Sequence, residues 1–241
     1  MAFFRRFVFD CDSTLVRIEG IDWLAERAGV GEEVARLTRA AMEGEMPLDA
    51  VYARRLQLVR PDAGALAALA DAYVSSLVED AGAVVSALLA LGKRVTLLSA
   101  GLRPALLPLA DRLGLDPGNV FAVDVFMGPR GEYVGCDRMS PLTRPGGKGV
   151  VLRAKGLAGP ETLAVGDGAS DLEMKGSVGL LVGFGGVAVR ERVRLEADLF
   201  VEGPGLAPIL AVGLTERERR MAAERGYGEV VRRADAWRRD G

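Results

Sequence analysis

Short apolar runs that end in polar residues recur along the chain. The first, Phe7–Val8–Phe9, stops at Asp10, which is typical of a buried strand with an acid at its carboxyl end. The later runs are Val95–Leu98 before Ser99, Thr162–Val165 before Gly166–Asp167, Leu180–Val182 and Leu199–Val201. Because stretches with helical spacing separate these runs, the pattern predicts an α/β fold with a doubly wound, mainly parallel sheet.

From about Ile21 to Val78 the pattern is helical throughout. Apolar residues such as Trp23, Leu24 and Ala28 recur at helical spacing, and Pro61 marks a break between two helices. No segment of this block has the alternation of a good strand. It is predicted to be a helical insert between the first strand and the rest of the sheet.

The shorter elements are predicted from local signals. Helices are expected over Val84–Leu91 with Gly92 as the stop, over Pro104–Leu113 and from Gly149 to Lys155. Segments Val120–Val125 and Tyr133–Cys136 are expected to pair as a hairpin around Gly128–Gly131.

The C-terminal segment is charged and helical. Thr215–Glu218 has the spacing of a capping box, which predicts a helix to about Arg225 and a second over Tyr227–Arg239. The segment carries both signs of charge, so a solvated helical pair is one interpretation. A helix that contacts a partner or forms a homodimer is the other.

The composition of the chain argues against several classes of partner and of catalytic site. The 241 residues are 49% hydrophobic with a net charge of −2, which suits a soluble globular protein and gives no reason to expect nucleic acid or a membrane as partner. The first residues lack the features of a secretory signal, so the cytoplasm is expected. The chain has no histidine. Ser-His-Asp hydrolysis and histidine-bearing zinc sites are therefore improbable.

Five residues separate Cys11 from Arg17, which is the Cys-x₅-Arg spacing of cysteine-dependent phosphatases. A thiolate nucleophile requires a positive environment, whereas Asp10 and Asp12 flank this cysteine. Cys11 is predicted to be a small buried residue. The one other cysteine is Cys136, and a disulfide between the two is not expected.

Two pairs of aspartates follow predicted strands. Asp10 and Asp12 are two residues apart, so their carboxylates share a face and favour a cation between or near them. Mg²⁺ prefers such oxygen ligands. Asp167 is predicted to complete the metal shell, and Asp171 to orient a metal-bound water or a lysine. Asp167 and Asp171 as two helix N-caps is the alternative.

Two further groups suit a phosphoryl ligand. Ser99, followed by Ala100–Gly101, can donate its hydroxyl and local N–H groups to a phosphoryl oxygen, although a turn serine is the simpler explanation. Lys148 is expected in a flexible loop before a helix, where it could neutralise charge on the phosphoryl group. The loop is not a P-loop, because Gly149 follows the lysine instead of Ser or Thr.

Taken together, these residues resemble the haloacid-dehalogenase superfamily, and within it the phosphoserine phosphatase subgroup. The resemblance covers residues 5 to 205 in motif order. Its motifs are Asp10–Thr14, Leu98–Gly101, Gly146–Gly149 with Lys148, and Gly166–Asp171, with weaker similarity in Glu19–Asp22, Arg39–Met42, Asn119–Ala122 and Gly183–Gly186. It implies a Rossmann-like core (residues 1–16 and 80–213), a helical cap (17–79) that selects the substrate, and a C-terminal extension (214–241) without a recognised counterpart.

The resemblance also implies roles. Asp10 would be the nucleophile that forms an aspartyl-phosphate, and Asp12 the general acid and then the base. Asp10, the Asp12 carbonyl and Asp167 would hold Mg²⁺. The phosphoryl group would be bound by Ser99, Gly101, Lys148 and Ser170. In the cap, Glu19 would meet the substrate ammonium and Arg55 its carboxylate, with Met42 nearby. An ordinary surface ion pair between Glu19 and Arg55 is the alternative.

Four departures from the family pattern bear on selectivity. Ala100 replaces a glycine and requires a negative φ, Leu48 replaces a frequent Phe, Val123–Asp124 replaces Asn-Arg, and Ser170 replaces Asn or Thr. The implied reaction is hydrolysis of O-phospho-L-serine, the last step of serine biosynthesis. A phosphatase or phosphotransferase for another small phosphomonoester is the first alternative. A non-catalytic phospho-acceptor module is the second.

Overall fold

The computed structural model describes residues 4–42 and 48–240. The strands are β1 (Arg6–Phe9), β2 (Arg94–Leu102), β3 (Val120–Val123), β4 (Val125–Met127), β5 (Tyr133–Cys136), β6 (Gly159–Gly166), β7 (Val178–Phe184) and β8 (Leu199–Val201). The helices are α1 (Gly20–Arg27), α2 (Gly31–Met42), α3 (Leu48–Val59), α4 (Ala63–Ser75), α5 (Ala81–Ala90), α6 (Arg103–Arg112), α7 (Gly147–Ala154), α8 (Ala169–Leu172), α9 (Glu191–Glu196), α10 (Pro208–Gly213), α11 (Glu216–Ala222) and α12 (Gly228–Asp240).

Six of these strands form one parallel sheet in the order β3-β2-β1-β6-β7-β8. Phe7 lies opposite Val95 of β2 on one side and Leu163 of β6 on the other. All three side chains are buried, because helices cover both faces of a doubly wound sheet. The predicted fold class is therefore confirmed.

The order of the strands reverses at β1, which makes its carboxyl end the switch point of the sheet. The chain runs outward from β1 to β2 and β3 on one side, and from β6 to β8 on the other. A crevice opens where such a sheet changes direction, beyond the carboxyl ends of the strands. Asp10 and Asp167, which directly follow β1 and β6, are thereby brought to one edge.

The predicted hairpin over Val120–Val125 is only partly correct. Val120–Val123 joins the main sheet as β3, parallel to β2, while β4 alone pairs with β5. The end valines of β3 are buried against the core. A single apolar run thus divides at Asp124 between two sheets, a division that alternation along the chain does not reveal.

Helices α1–α4, together called the cap below, form the predicted insert between β1 and α5. Their two connections to the core run side by side: Arg17 N donates to Ser76 O at 2.8 Å and Val78 N donates to Leu15 O at 2.9 Å. The cap has buried apolar residues of its own, among them Leu24 and Leu69. Because it enters and leaves the core at one place, it covers the carboxyl edge of the sheet as one unit.

The C-terminal segment packs on the core rather than standing free in solvent. The predicted capping box is present, with Thr215 as N-cap, and α11 is followed by a π-helical turn over Ala223–Tyr227, so the helix reaches the predicted Arg225. Gly226, at φ +97°, turns the chain into α12. Val230 and Ala234 of α12 are buried, so the solvated-pair interpretation is wrong for this inner face. No helix among the described residues is long and apolar enough to cross a membrane.

Candidate active site

Asp10 lies directly after β1, with its backbone N–H donating to Val165 O at 2.9 Å. Its Oδ1 forms an ion pair with Lys148 Nζ at 2.8 Å, and the same Nζ lies 2.7 Å from Asp171 Oδ1. Lys148 and Asp171 are 3% and 1% exposed at their side chains. One buried cation therefore bridges two buried carboxylates.

The sequence suggested that Lys148 lies in a flexible loop, and this prediction is wrong. Helix α7 begins at Gly147, so Lys148 lies in its first turn and is buried. Gly146 has φ +80°, which turns the chain into the helix, and a Cβ at Gly147 would collide with the backbone of Pro141. This tight packing fixes where the lysine points.

The charges around Lys148 govern its protonation. Burial lowers the pKa of the Lys148 ammonium, but the attraction of Asp10 and then Asp171 outweighs burial and raises that pKa above its ordinary value. Lys148 is therefore a permanent cation across the physiological pH range. It can stabilise negative charge on Asp10 or on an anion beside it.

Asp167, which follows β6, is the third buried acid. Thr14 Oγ1 donates to Asp167 Oδ1 at 3.0 Å, and the Arg190 guanidinium contacts Oδ2. One carboxylate oxygen from each of Asp10, Asp167 and Asp171 lies within 4.8 Å of the others. Three acids gathered so closely offer oxygen ligands to a divalent cation.

Asp12 lies between the core and the cap. The backbone N–H of Gly20 donates to Asp12 Oδ2 at 2.9 Å. Burial, and then the charge of Glu19, raises the pKa of the Asp12 carboxyl to about 7. An acid with this pKa can both give and accept a proton near neutral pH.

The second strand was predicted to end at Ser99. In the structure β2 continues to Leu102 through an irregular stretch. Ser99 is buried, and its Oγ accepts a hydrogen bond from Gly101 N at 2.9 Å. Ala100 is not among the described non-glycine residues with positive φ, so the replacement of glycine there causes no backbone strain. Tyr52 Oη of the cap donates to Ala100 O at 2.9 Å.

The predicted substrate residues of the cap face the same space. Glu19 accepts from Ser13 Oγ at 2.7 Å and pairs with Arg190 at 3.0 Å. Burial lowers the pKa of Arg55, whose Nη1 lies 3.4 Å from Thr38 Oγ1. Within the described ranges, no ion pair joins Glu19 to Arg55, which disfavours the surface-pair alternative. The Met42 and Leu48 side chains lie outside the described residues.

Cys11 fails as a competing nucleophile. It is fully buried beneath the site. Burial, then Asp12 and Asp10, raise the pKa of the Cys11 thiol well above its ordinary value. A thiol that stays protonated is neither a nucleophile nor a metal ligand.

A cavity of about 220 Å³ joins all these groups beneath the cap. Asp10 and Lys148 line it from the core, and Glu19 and Arg55 line it from the cap. Further lining residues are Asp12, Ser99, Gly101, Asp167, Ser170, Tyr52, Tyr73 and Arg190. Asp171 does not line the cavity itself, but it contacts Lys148, which does. The predicted residues whose side chains are described are therefore brought together.

Three polar side chains that line this cavity, those of Tyr52, Tyr73 and Arg190, were not predicted as site residues. Tyr52 lies three residues before Arg55, so both share one face of α3, and this spacing could have suggested it. Tyr73 and Arg190 gave no such signal. Arg190 contacts Glu19 of the cap-side wall and Asp167 of the core, which links the two halves of the site.

The same architecture is found in known proteins. The haloacid dehalogenase-like hydrolase family model matches residues 7–175. The chain belongs to this family. Within it, the phosphoserine phosphatase of Drosophila melanogaster is 37% identical over 196 residues, covering 80% of this chain and 73% of the fly protein. The human phosphoserine phosphatase is 34% identical over 195 residues, covering 80% of this chain and 87% of the human protein.

This haloacid dehalogenase-like hydrolase is also similar in structure to a solved phosphoserine phosphatase. A substrate-bound phosphoserine phosphatase complex matches with a TM-score of 0.72 at 27% identity, covering 88% of this chain and 99% of that one. The parallel sheet with its cap is thus the family fold.

Proposed function

We propose that this protein hydrolyses O-phospho-L-serine to L-serine and phosphate, the last step of serine biosynthesis, through an aspartyl-phosphate on Asp10. The observation that carries the proposal is one cavity that Asp10 and Lys148 line from the core and Glu19 and Arg55 line from the cap. The first pair suits a phosphoryl group. The second suits the ammonium and carboxylate of an amino acid.

Asp10 is the proposed nucleophile. Lys148, 2.8 Å from Asp10 Oδ1, can offset the negative charge of that carboxylate and of the incoming phosphoryl group. Ser99, Gly101 and Ser170 line the same cavity and can donate hydrogen bonds to phosphoryl oxygens.

Asp12 is the proposed acid and base. In the first step its proton passes to the serine oxygen as the P–O bond breaks and the Asp10–phosphorus bond forms. In the second step it takes a proton from the water that attacks phosphorus, while the bond between Asp10 and phosphorus breaks and phosphate is released. The pKa of about 7, raised chiefly by burial, suits both directions.

The acids fit a magnesium ion held by Asp10, Asp167 and the Asp12 carbonyl. When bound, Mg²⁺ would neutralise charge on the phosphoryl oxygens. Both oxygens of Asp171 already accept hydrogen bonds, from Lys148 Nζ at 2.7 Å and Gly168 N at 3.0 Å. Asp171 is therefore proposed to orient Lys148 rather than to bind the metal.

Substrate selection is proposed to belong to the cap, residues 17–79, set on the core of residues 1–16 and 80–213, with 214–241 as the extension. Glu19 would meet the substrate ammonium and Arg55 its carboxylate, with Met42 nearby. The paired connections at Arg17 and Val78 support this division, because a cap attached at one place can close over a bound substrate.

Phosphate release from O-phospho-L-serine and a panel of small phosphomonoesters tests the proposal. We expect phosphoserine to be the best substrate, with activity that needs Mg²⁺ and stops with a chelator. Asp10→Asn should abolish turnover. If phosphoserine is hydrolysed poorly compared with another ester of the panel, the proposed substrate is refuted. Transfer of the phosphoryl group to an acceptor hydroxyl would identify a phosphotransferase. Full activity of Asp10→Asn would refute covalent catalysis.

A further inference from the structure

The side chain of Tyr73, in the cap helix α4, reaches the centre of the site. The residue is fully buried. Its hydroxyl lies over Gly20, where a Cβ would collide with it. The absence of a side chain at Gly20 therefore makes room for this hydroxyl.

The hydroxyl has no structural use that is visible in the fold. Among the described residues, Tyr73 Oη and Asp12 Oδ1 are both buried without a hydrogen bond of normal geometry. A buried polar atom without a partner costs free energy, and phenylalanine would fill the same space without that cost. Packing alone thus does not explain a tyrosine here.

Asp12 is the neighbour that the hydroxyl can serve. A Cβ at Gly20 would collide with Tyr73 Oη and stand 3.5 Å from Asp12 Oδ2, so the two groups lie beside the same glycine. A phenol is protonated at neutral pH, and its O–H can donate to a carboxylate. The backbone N–H of Gly20 already donates a hydrogen bond to the other carboxylate oxygen of Asp12, Oδ2.

Resting on the function proposed above, we propose that Tyr73 is a positioning residue whose hydroxyl donates to the Asp12 carboxyl and, with Gly20 N–H, fixes its plane toward the leaving oxygen. Tyr73 itself exchanges no proton. The proton that reaches serine comes from Asp12, and Asp12 recovers one from the attacking water.

The test is Tyr73→Phe, assayed with O-phospho-L-serine and Mg²⁺. We expect kcat to fall by about tenfold or more while KM changes by less than about twofold, because the lost hydrogen bond to a charged group acts on proton transfer rather than on binding. The thermal midpoint of the substrate-free enzyme should stay unchanged or rise, because there the Tyr73 hydroxyl has no hydrogen bond of normal geometry to lose, and the proposed bond to Asp12 acts in the substrate complex. A residue with a purely structural role would lower the midpoint and leave kcat unchanged.

Two tyrosine variants serve as matched controls. Tyr52→Phe removes a hydroxyl that has a partner, Ala100 O, and should lower the thermal midpoint. Tyr227→Phe, in the turn between α11 and α12, should leave kcat and KM unchanged. A Tyr73→Phe kcat within about twofold of the natural enzyme, or a loss of kcat matched by a lower midpoint, would overturn the inference.

The inference and the proposed function fail in different ways. If the natural enzyme hydrolyses phosphoserine poorly, the substrate assignment fails. The Tyr73→Phe comparison is then made on the best phosphomonoester of the panel, where the same fall in kcat supports the positioning role and an unchanged kcat overturns it.

Discussion

Replacing Lys148 by methionine tests the electrostatics at the centre of the site. Methionine keeps most of the length and the apolar stem of lysine but removes its charge. Asp10 and Asp171, whose oxygens lie 2.8 and 2.7 Å from Nζ, would then lose their common partner. We expect Lys148→Met to abolish catalysis and, without metal, to destabilise the fold.

The magnitude follows from these distances. At an effective dielectric constant of about 20, each pair contributes roughly 6 kcal/mol of Coulomb attraction, much of which offsets the cost of burying the charges. Removing one partner of a buried pair typically costs about 3–5 kcal/mol. For a chain of this length that loss should lower the thermal midpoint by roughly 10 °C. Turnover should fall by about 100-fold or more.

Thermal unfolding of both proteins, in chelator and in saturating Mg²⁺, measures the effect. A divalent cation can take over the neutralisation of the carboxylates that lose their lysine. Mg²⁺ should therefore raise the midpoint of Lys148→Met by more than it raises that of the natural protein, without restoring activity. This difference separates a charge effect from a general loss of packing.

Lys93 offers a matched control. It is also a buried lysine, which contacts Glu218 and donates to Phe4 O at 2.7 Å, on the C-terminal side of the core. Lys93→Met should lose stability to the same extent in chelator and in Mg²⁺, and should keep its kcat. An unchanged midpoint for Lys148→Met in chelator, or equal Mg²⁺ effects in both variants, would show that the reasoning about this ion pair is wrong.

Three other changes have expected outcomes. Arg190→Met removes a cation that contacts Asp167, so the Mg²⁺ concentration for half-maximal activity should fall by about threefold or more; a rise would contradict this. Asp12 has its pKa raised from 3.8 to about 7 by folding, so the stability it contributes is present below about pH 4 and lost as pH rises through 7. In chelator, Asp12→Asn should therefore be more stable than the natural protein by about 1–3 kcal/mol at pH 8 but not at pH 4, as measured by urea unfolding. This gain is smaller than the full pKa shift implies, because the carboxyl lies at a cavity wall where solvent screens its charge. Arg219→Ala, which leaves Asp235 and Leu214 O without their buried guanidinium, should cost about 2–4 kcal/mol by urea unfolding with unchanged kinetics; a fall in kcat would show that the extension affects the site.

The strand ends were predictable because parallel strands of a doubly wound sheet carry a strong local signal. Buried on both faces, such strands are continuous apolar runs, and the first polar residue after each marks the edge where ligands bind. Asp10 and Asp167 could thus be assigned to one edge without knowing the strand order. The division of residues 120–136 between two sheets depends on which strand offers a free edge, and no local pattern contains that information.

The environment of Lys148 was mispredicted for a related reason. Consecutive glycines are typical of flexible loops, and Gly146, Gly147 and Gly149 suggested one. Here they allow close packing instead, since a Cβ at Gly147 would meet Pro141 and one at Gly149 would meet Glu173. Glycine permits either outcome, and the tertiary neighbours decide between them.

The contacts that tune the site connect residues far apart in the chain. Thr14 reaches Asp167, Arg190 reaches Glu19, and each pair spans more than half of the sequence. Residue types predicted which chemistry was available, because carboxylates and a lysine after strands suffice for that. They could not predict partners, since a pairing across the fold leaves no periodicity in the sequence. A buried tyrosine such as Tyr73 therefore counts as an ordinary apolar residue of a helix until the folded chain brings its hydroxyl beside Asp12.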